Sequence, residues 1–458
     1  MKSARSASSD AERLGTQKIS RLIAGFALTA FAGLLLNSVY SLTDALFVSW
    51  GVGNDAAGGI SAVYPFVILQ GAISTAIGTG AATLVSRRLG EGDAKGAAEV
   101  TASAMTAFYC VAALITATGF ALMPRLLAAM GATGALAPYA KTYFSIILAG
   151  NVFSTGFSSV MRAEGNNRYS LLIWVIPITL NIVLDALFIL VLKMGVAGSA
   201  AATVLSQFAS FVMCVVFFTR FTVQRFKGVR PSLRTTSEIV AVGIPSLVQM
   251  GSLSLICLVI NSVLSKNDGA TGVTAFGYVT RLMTYSVIPV AAVAQALAPV
   301  AGYNFGAGNA VRVRSAVNVS MVASLVCGTA VFVLAEACAP WLMRVFTSDV
   351  VIVGYGEECI RITAVALPLM PISVVTGAAA QSVGRKALAV AFYAAAPLAF
   401  LPFAFALSSL TGAAGLWWAY VCAYAFAALF SGVCFYVRKD LLACSRPYVR
   451  SQHPNRRQ

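Results

Sequence analysis

Length, composition and charge exclude a soluble protein. Of the 458 residues, 59% are hydrophobic and only 10% are charged, and the mean hydropathy is +0.82. Soluble domains carry about 25% charged residues, so we expect an integral membrane protein without a large soluble domain. The one histidine, His453, lies near the C-terminus, which excludes a His-based metal site or a Ser-His catalytic pair among the apolar segments.

The apolar segments, taken in chain order, predict twelve transmembrane helices. Each is long enough to cross the hydrocarbon core, which needs roughly 20 residues. The expected limits are 20–48, 57–84, 98–122, 138–160, 170–192, 195–219, 238–264, 272–300, 315–338, 355–380, 387–409 and 413–436. The first apolar run is too long for the core of a signal peptide, so we expect no cleavage.

The net charge of +16 is distributed unevenly along the chain. With the N-terminus placed inside, 25 of the 32 Lys and Arg residues fall in cytoplasmic segments or, for Arg21, at the cytoplasmic start of the first span, which is the positive-inside pattern. We therefore predict a multi-pass protein of the cytoplasmic membrane whose two termini are both cytoplasmic. The same distribution argues against a nucleic-acid-binding surface, so we expect no nucleic-acid partner.

The chain contains an internal repeat. Residues 56–94 align without gaps on residues 272–310, at a shift of 216, and "GVAG" (195–198) corresponds to "GAAG" (412–415). Six spans per half make the two repeats parallel. We predict an all-α membrane protein of twelve transmembrane helices in two pseudo-symmetric six-helix lobes around a central cavity. The expected divisions are a cytoplasmic N-tail (1–19), an N-terminal lobe (20–219), a cytoplasmic linker (220–237), a C-terminal lobe (238–437) and a cytoplasmic basic tail (438–458).

The first helix carries a polar stripe. Asn37, Tyr40, Ser41 and Asp44 follow the spacing i, i+3, i+4, i+7 and so share one helical face. A charged residue at mid-membrane depth costs at least roughly 2.5–3.5 kcal/mol. Asp44 therefore needs a partner or a function.

The fifth and sixth helices offer partners for Asp44. Asn181 and Asp185 are four residues apart and share a face. An α-helix rises about 1.5 Å per residue, so the number of residues from a helix end gives the depth of a side chain. By this count Asp44, Asp185 and Thr203 all lie roughly 10–12 Å below the outer boundary. Together these side chains offer only oxygen ligands, which suit a hard cation. One proton or one Na⁺ also relieves the repulsion between two neighbouring carboxylates.

A purely structural interpretation is the alternative for this group. A lone membrane Asp can serve as a hydrogen-bond partner, and Asn and Thr commonly join transmembrane helices. The residues do not decide between Na⁺ and H⁺, since either could occupy a pair of carboxylates.

Several motifs resemble those of the multidrug and toxic compound extrusion (MATE) family, over almost the whole chain. They are "LTDALFVSWGVGNDAAGGISAVYPF" (42–66), "RRLGEGDAKGA" (87–97), "MRAEGNNR" (161–168), "LNIVLDALFIL" with "MGVAGSAAATVLSQ" (180–207), and "GIPSLVQMG" (243–251). The resemblance implies two six-helix lobes with a central cavity. It also implies export of organic, often cationic compounds in exchange for Na⁺ or H⁺.

The resemblance assigns a cation-coupling site to the N-terminal lobe, with Asp44, Asn181, Asp185 and Thr203 as its residues. These four would also be the metal ligands if the coupling ion is Na⁺. Some members of the family carry membrane carboxylates in the C-terminal lobe as well. The seventh and eighth helices of this chain have none, so we predict coupling by the N-terminal lobe alone.

Other polar residues are candidates for the wall of the cavity. They are Asn37, Tyr40, Gln70, Gln249, Arg281 and Gln295. Arg281 could bind an anionic substrate, pair with Glu336, or extend to the outer interface. The glycine-rich "GEGDAKG" (90–96) lacks a preceding strand and a Gly-Lys-Ser, so we interpret it as a turn and not as a nucleotide site.

Two other functions remain alternatives. A lipid-linked saccharide flippase of the wider superfamily would need a strongly charged cavity, and a channel would need a filter loop or several subunits. We expect a monomeric transporter, not an enzyme. Its partners would be small organic molecules and membrane lipid, and it would need no cofactor beyond the coupling ion.

Overall fold

The computed structural model describes residues 12–52, 54–130, 136–154, 156–224, 226–267, 269–345 and 349–437. Fifteen α-helices and no strand occur in these ranges. The helices are α1 Ile19–Gly51, α2 Asn54–Gly90, α3 Ala94–Ala121, α4 Met123–Ala129, α5 Ala137–Gly150, α6 Ser158–Ala163, α7 Asn167–Asp185, α8 Val196–Arg220, α9 Leu233–Asn267, α10 Gly269–Gly306, α11 Ala310–Arg344, α12 Val350–Ala364, α13 Met370–Ser382, α14 Lys386–Thr411 and α15 Ala413–Val437.

The all-α membrane architecture is confirmed. Nine helical segments of the described chain are long and apolar enough to cross a membrane. The prediction about the basic tail 438–458 falls outside the described residues, as does that about the first eleven residues of the N-tail.

Two predicted spans are interrupted, and the interruptions occupy nearly corresponding places in the two repeats. The fourth span consists of α5, a 3₁₀ turn (Asn151–Phe153) and α6. The tenth span consists of α12, a turn over 365–369 and α13. Pro371 lies in the first turn of α13, where its missing N–H is tolerated. Each span is predicted as a single helix because apolar length alone does not mark where a helix breaks.

We use N-lobe for residues 20–219 and C-lobe for residues 238–437. The ends of the helices near the linker form what we call the linker side of the molecule. On this side the lobes approach closely along α2, α9 and α10. A Cβ at Gly90 would clash with the carbonyl oxygen of Tyr303, and one at Gly306 would clash with that of Arg87. The two glycines therefore allow backbone-to-backbone packing between the lobes.

Arg87 joins the two lobes on the linker side. Its Nε donates to the carbonyl of Ser382 (2.8 Å) and its Nη2 donates to that of Gln381 (3.1 Å), at the C-terminal end of α13. A helix C-terminus favours a cation. Gly384, with φ of +78°, leaves room for the guanidinium, because a Cβ there would lie 2.6 Å from Nη1.

Side-chain hydrogen bonds extend the contact between the lobes. The hydroxyl oxygens of Thr79 and Ser246 lie 2.9 Å apart, and Gln381 Nε2 donates to the same Ser246 oxygen (3.0 Å) and to the carbonyl of Val242 (2.8 Å). These residues belong to α2, α9 and α13. The described contacts thus hold the two lobes together on the linker side.

Candidate functional site

The structure brings Asp44, Asn181, Asp185 and Thr203 together in the N-lobe. They come from three neighbouring helices, α1, α7 and α8. Asp185 is fully buried and Asn181 is 2% exposed. Buried polar groups of this kind require hydrogen-bond partners or a bound ion.

Hydrogen bonds hold each member of the group. Ser199 Oγ donates to Asp44 Oδ1 over 2.9 Å. The Asn181 amide suits its neighbours in one orientation, in which it donates to Asp185 Oδ2 (2.9 Å) and accepts from the backbone N–H of Thr203 (3.2 Å). The Asp44 and Asp185 carboxyl groups lie close enough to interact electrostatically. Two carboxyl groups this close need a proton or another cation between them.

Two oxygens at the site have no hydrogen-bond partner among the described residues. They are Asp185 Oδ1 and Thr203 Oγ1, and both are buried. An unpaired buried acceptor is unfavourable by about 1–3 kcal/mol. A carboxylate oxygen and a hydroxyl oxygen are ligands that a hard cation prefers. The residues present therefore fit a small cation.

The local backbone explains how Asp185 reaches this position. Asp185 ends the regular part of α7, and a π-helical turn (Ala186–Val191) follows at once. Such turns are rare and occur frequently at functional sites. Pro177 lies inside α7, eight residues before Asp185, and removes one backbone hydrogen bond of the helix.

Comparison with known proteins identifies the family. The MatE family model matches residues 30–187 and 245–406, which is more than half of the chain and one segment in each lobe. The chain belongs to the MATE family. The protein YpnP of Bacillus subtilis, described as a probable multidrug resistance protein, is 27% identical over 78% of this chain and 81% of its own length. The multidrug export protein MepA of Staphylococcus aureus is 24% identical over 91% of this chain and 93% of its own.

Solved structures agree with this assignment. A MOP superfamily transporter from Pyrococcus furiosus superposes with a TM-score of 0.87 at 25% identity, over 94% of this chain and 98% of its own. A multidrug resistance MATE family transporter solved in an outward-facing conformation also gives a TM-score of 0.87, at 26% identity and with the same coverage. The chain is therefore a multi-pass membrane transporter with the MATE fold.

Two further residues lie in this group and were not predicted from the sequence. Ser199 lies four residues before Thr203 and so shares its helical face, a signal that the spacing already contained. Tyr143, on α5, is 6% exposed and lies near Thr203, Asp44 and Asp185. No spacing argument could have found Tyr143, because it reaches the group only through the packing of α5 against α8.

The other predicted cavity residues lie apart from this group or at its margin. Gln70 is buried and its Nε2 donates to Asn151 Oδ1, inside the N-lobe and at the 3₁₀ turn. Gln70 therefore joins helices within one lobe. Gln295 lies between the lobes, where its Oε1 accepts from Arg162 Nη2 (3.4 Å).

Three of the remaining candidates keep partial access to their surroundings. Asn37 is exposed, and Tyr40 and Gln249 are half-buried. Arg281 lies within α10, and its side chain falls outside the described residues. The MATE cavity wall thus remains a prediction for these four positions.

Glu336 has a different partner from the one considered in the sequence. Its Oε2 accepts from Arg361 Nη1 (3.1 Å), and Glu357 Oε1 accepts from Nη2 of the same arginine (2.9 Å). These three residues form one group in the C-lobe, and a pairing of Glu336 with Arg281 stays a prediction because the Arg281 side chain lies outside the described residues. Arg361 is exposed at 45% and its two partners at about 30%, so the group is a surface ion pair and not a buried site.

Glu164 is a second buried carboxyl, on the linker side, and the sequence did not single it out. It is 2% exposed. It accepts hydrogen bonds from Thr222 Oγ1 (2.8 Å), the N–H of Val223 (2.9 Å) and Gln224 Nε2 (2.6 Å). Burial raises the pKa of Glu164 to about 7. These bonds attach the start of the linker to the N-lobe of the transporter.

Proposed function

We propose that the chain is a cation-coupled antiporter that exports organic, cationic or amphipathic compounds across the cytoplasmic membrane by alternating access. The observation that carries the proposal is the grouping of Asp44 and Asp185, held by Ser199 and Asn181, beside two buried oxygens without a hydrogen-bond partner among the described residues. A site of this composition responds to a single positive charge, H⁺ or Na⁺. The relatives YpnP and MepA, described as proteins of multidrug resistance and multidrug export, support the substrate class.

The coupling follows from differential affinity. A cation that binds Asp44 and Asp185 tightens α1 against α7 and α8, and a cation-free pair repels. A ligand shifts a conformational equilibrium only through its different affinities for the two states. The cation and the exported compound therefore act in opposite directions when each favours a different arrangement of the N-lobe helices.

The closed linker side supports alternating access. The contacts of Arg87, Ser246 and Gln381 hold the lobes together on that side. The same fold occurs in a relative solved in an outward-facing conformation. We propose that the linker side is cytoplasmic, that both termini lie there, and that a monomer suffices for transport.

Transport by purified protein tests the proposal. Proteoliposomes are loaded with a fluorescent organic cation, and a Na⁺ gradient and a pH gradient are imposed separately. Wild type is compared with Asp185→Asn and with Glu336→Gln, a control that removes one charge from the C-lobe. We expect movement driven by one of the two ions, lost in Asp185→Asn and kept in Glu336→Gln. Equal transport by all three proteins would contradict the proposal.

Absence of movement under either gradient, in folded protein, would also contradict export of organic cations. The flippase alternative then becomes the leading function. Translocation of a prenyl-pyrophosphate-linked sugar across the same vesicles would establish it.

A further inference from the structure

A lateral groove runs between the two lobes on the linker-side half of the molecule. Its volume is about 520 Å³. One wall is the first part of α1, the other is α11, and Val293 of α10 lies between them. Its lining residues include Ser20, Ala24, Ala27, Val293, Asn318 and Val322.

The groove opens towards the membrane. Val322 in the wall is 62% exposed, and its neighbours Leu28 and Val326 are 71% and 63% exposed. Large apolar side chains with that exposure on long apolar helices face lipid. The walls are also fixed in place, because Arg312 Nη2 of α11 donates to the carbonyls of Leu14 (3.2 Å) and Gln17 (2.7 Å), just before α1.

The linker-side mouth of the groove is polar and basic. Ser20 and Asn318 are the two polar lining residues. Arg21 lies one turn before Ala24 on α1, and Arg314 lies one turn before Asn318 on α11, and both are exposed. The first three turns of α1 and of α11 contain no acidic residue. An apolar channel with a positive mouth is the complement of a lipid with an anionic headgroup.

We propose that this groove binds one anionic phospholipid from the leaflet on the linker side. An acyl chain lies along Ala24, Ala27 and Val322, and the phosphate lies at Arg21 and Arg314. Because α1 belongs to the N-lobe and α10 and α11 belong to the C-lobe, the lipid contacts both lobes at once. It therefore favours the arrangement in which the lobes are closed on the linker side, since only that arrangement forms both walls.

Lipid retention by the full chain tests the proposal. The protein is reconstituted in nanodiscs of phosphatidylcholine with roughly one-third phosphatidylglycerol, a composition that supplies an anionic surface. After mild delipidation, bound phosphatidylglycerol is counted by native mass spectrometry. The variant Arg21→Gln/Arg314→Gln removes the mouth charges, and Lys227→Gln/Arg230→Gln removes two exposed charges of the linker as the matched control. Ala24→Trp fills the groove and leaves the charges in place.

We expect wild type and the linker control to retain one phosphatidylglycerol. The mouth variant loses affinity by about 25-fold, since each basic residue near an anionic surface contributes a factor of about five. Ala24→Trp loses the lipid although its charges are intact. Inorganic phosphate does not displace the lipid, because it lacks the acyl chain.

Three results would overturn the proposal. The first is equal retention by wild type and both groove variants. The second is unchanged lipid retention together with slower export of a fluorescent cation in Ala24→Trp, which would make the groove a path for the transported compound. The third is crosslinking between two copies of an Ala24→Cys variant through the introduced thiol, which would make the groove a dimer contact. Loss of lipid with normal ion-driven export would uphold this inference independently of the proposed function.

Discussion

The N-lobe and the C-lobe share a helix order and differ in what fills corresponding positions. At the shifts of 216 and 217 that align the repeats, Asp44 corresponds to Ile260 and Asp185 to Pro402. Ile260 is 1% exposed and belongs to one apolar cluster with Leu416 and Tyr420. One scaffold therefore holds a polar, partly unsatisfied site in one lobe and a satisfied apolar core in the other.

The difference indicates a division of labour. A buried polar group without partners is unfavourable and persists where it serves a function. In the C-lobe, Glu336, Glu357 and Arg361 form an exposed group of charges in place of a buried pair of carboxyls. The N-lobe is therefore the part expected to respond to a cation, and the C-lobe is the body against which it moves.

Removing one carboxyl from the N-lobe should have the largest effect on transport. In Asp44→Asn, a cation no longer relieves a pair of carboxylates, so ion-driven efflux should fall by about 5- to 150-fold, the range of typical coupling free energies. Initial efflux rates in proteoliposomes measure it. Glu357→Gln, which removes an exposed C-lobe carboxylate, should change the rate by less than about twofold. Similar losses in both variants would end the contrast between the lobes.

Placing an acid at the corresponding C-lobe position should prevent folding. Ile260→Asp buries a carboxyl in an apolar cluster, and a charge at membrane depth costs at least roughly 2.5–3.5 kcal/mol. We expect little monodisperse protein in detergent by size-exclusion chromatography. Ile260→Val, which keeps the site apolar, is the control. Normal yield of Ile260→Asp would show that the C-lobe tolerates the chemistry of the N-lobe.

The contact between the lobes can be weakened at one residue. Arg87→Met keeps the aliphatic stem and removes the hydrogen bonds to Ser382 and Gln381. Hydrogen bonds to a charged group are worth about 1.5–3 kcal/mol, so the ratio of closed to open molecules on the linker side should fall by about ten- to a hundredfold. The rate of hydrogen–deuterium exchange of the backbone amides 303–309, which lie at this contact, should rise because the open state exposes them.

Arg88→Met is the matched control for Arg87→Met. Arg88 is its neighbour in the chain, is exposed, and pairs within its own loop with Glu91 and Asp93. Exchange at 303–309 should match wild type in this variant. An equal rise in both variants would mean that charge on this side, and not the contact of Arg87 with α13, closes the lobes.

The sequence predicted the helices from local spacing, and it predicted the grouping of Asp44, Asn181, Asp185 and Thr203 from their common depth and from the family resemblance. Apolar length predicts a helix, and the spacings of Asp44 and of Asn181 with Asp185 place side chains on faces. The breaks in the fourth and tenth spans, Tyr143 and Glu164 were not predicted. They depend on which helices pack together, and a one-dimensional pattern carries no such information. Arg87 was counted as a topology signal, and its contact with α13 is visible only in three dimensions.

One hydrogen bond to the pair of Asp44 and Asp185 can be removed while both carboxyl groups are kept. Ser199→Ala removes the 2.9 Å bond to Asp44. A single hydrogen bond contributes about 0.5–1.5 kcal/mol, so the cation concentration for half-maximal efflux should shift by a few-fold while the maximal rate is kept. A titration of efflux rate against Na⁺ and against pH measures it. Ser206→Ala is the control, because Ser206 bonds only to its own helix at Ala202.

The smallest effect should come from Glu164, the buried carboxyl outside the N-lobe pair. Its pKa of about 7 in the folded protein lies above the ordinary value of 4.5. Between these values the folded state holds a proton that the unfolded state has lost, so stability falls as pH rises from 4.5 to about 7 and then levels off. In Glu164→Gln this contribution is absent. The thermal midpoint of wild type should therefore decrease more between pH 6 and pH 8 than that of Glu164→Gln.

Glu99→Gln is the control. Glu99 accepts a hydrogen bond from Thr235 (2.8 Å) on the same side, and its replacement should leave the wild-type pH dependence in place. Identical pH dependence in wild type and Glu164→Gln would show that this carboxyl keeps one charge state across the range, and that the linker is attached with equal strength at both pH values.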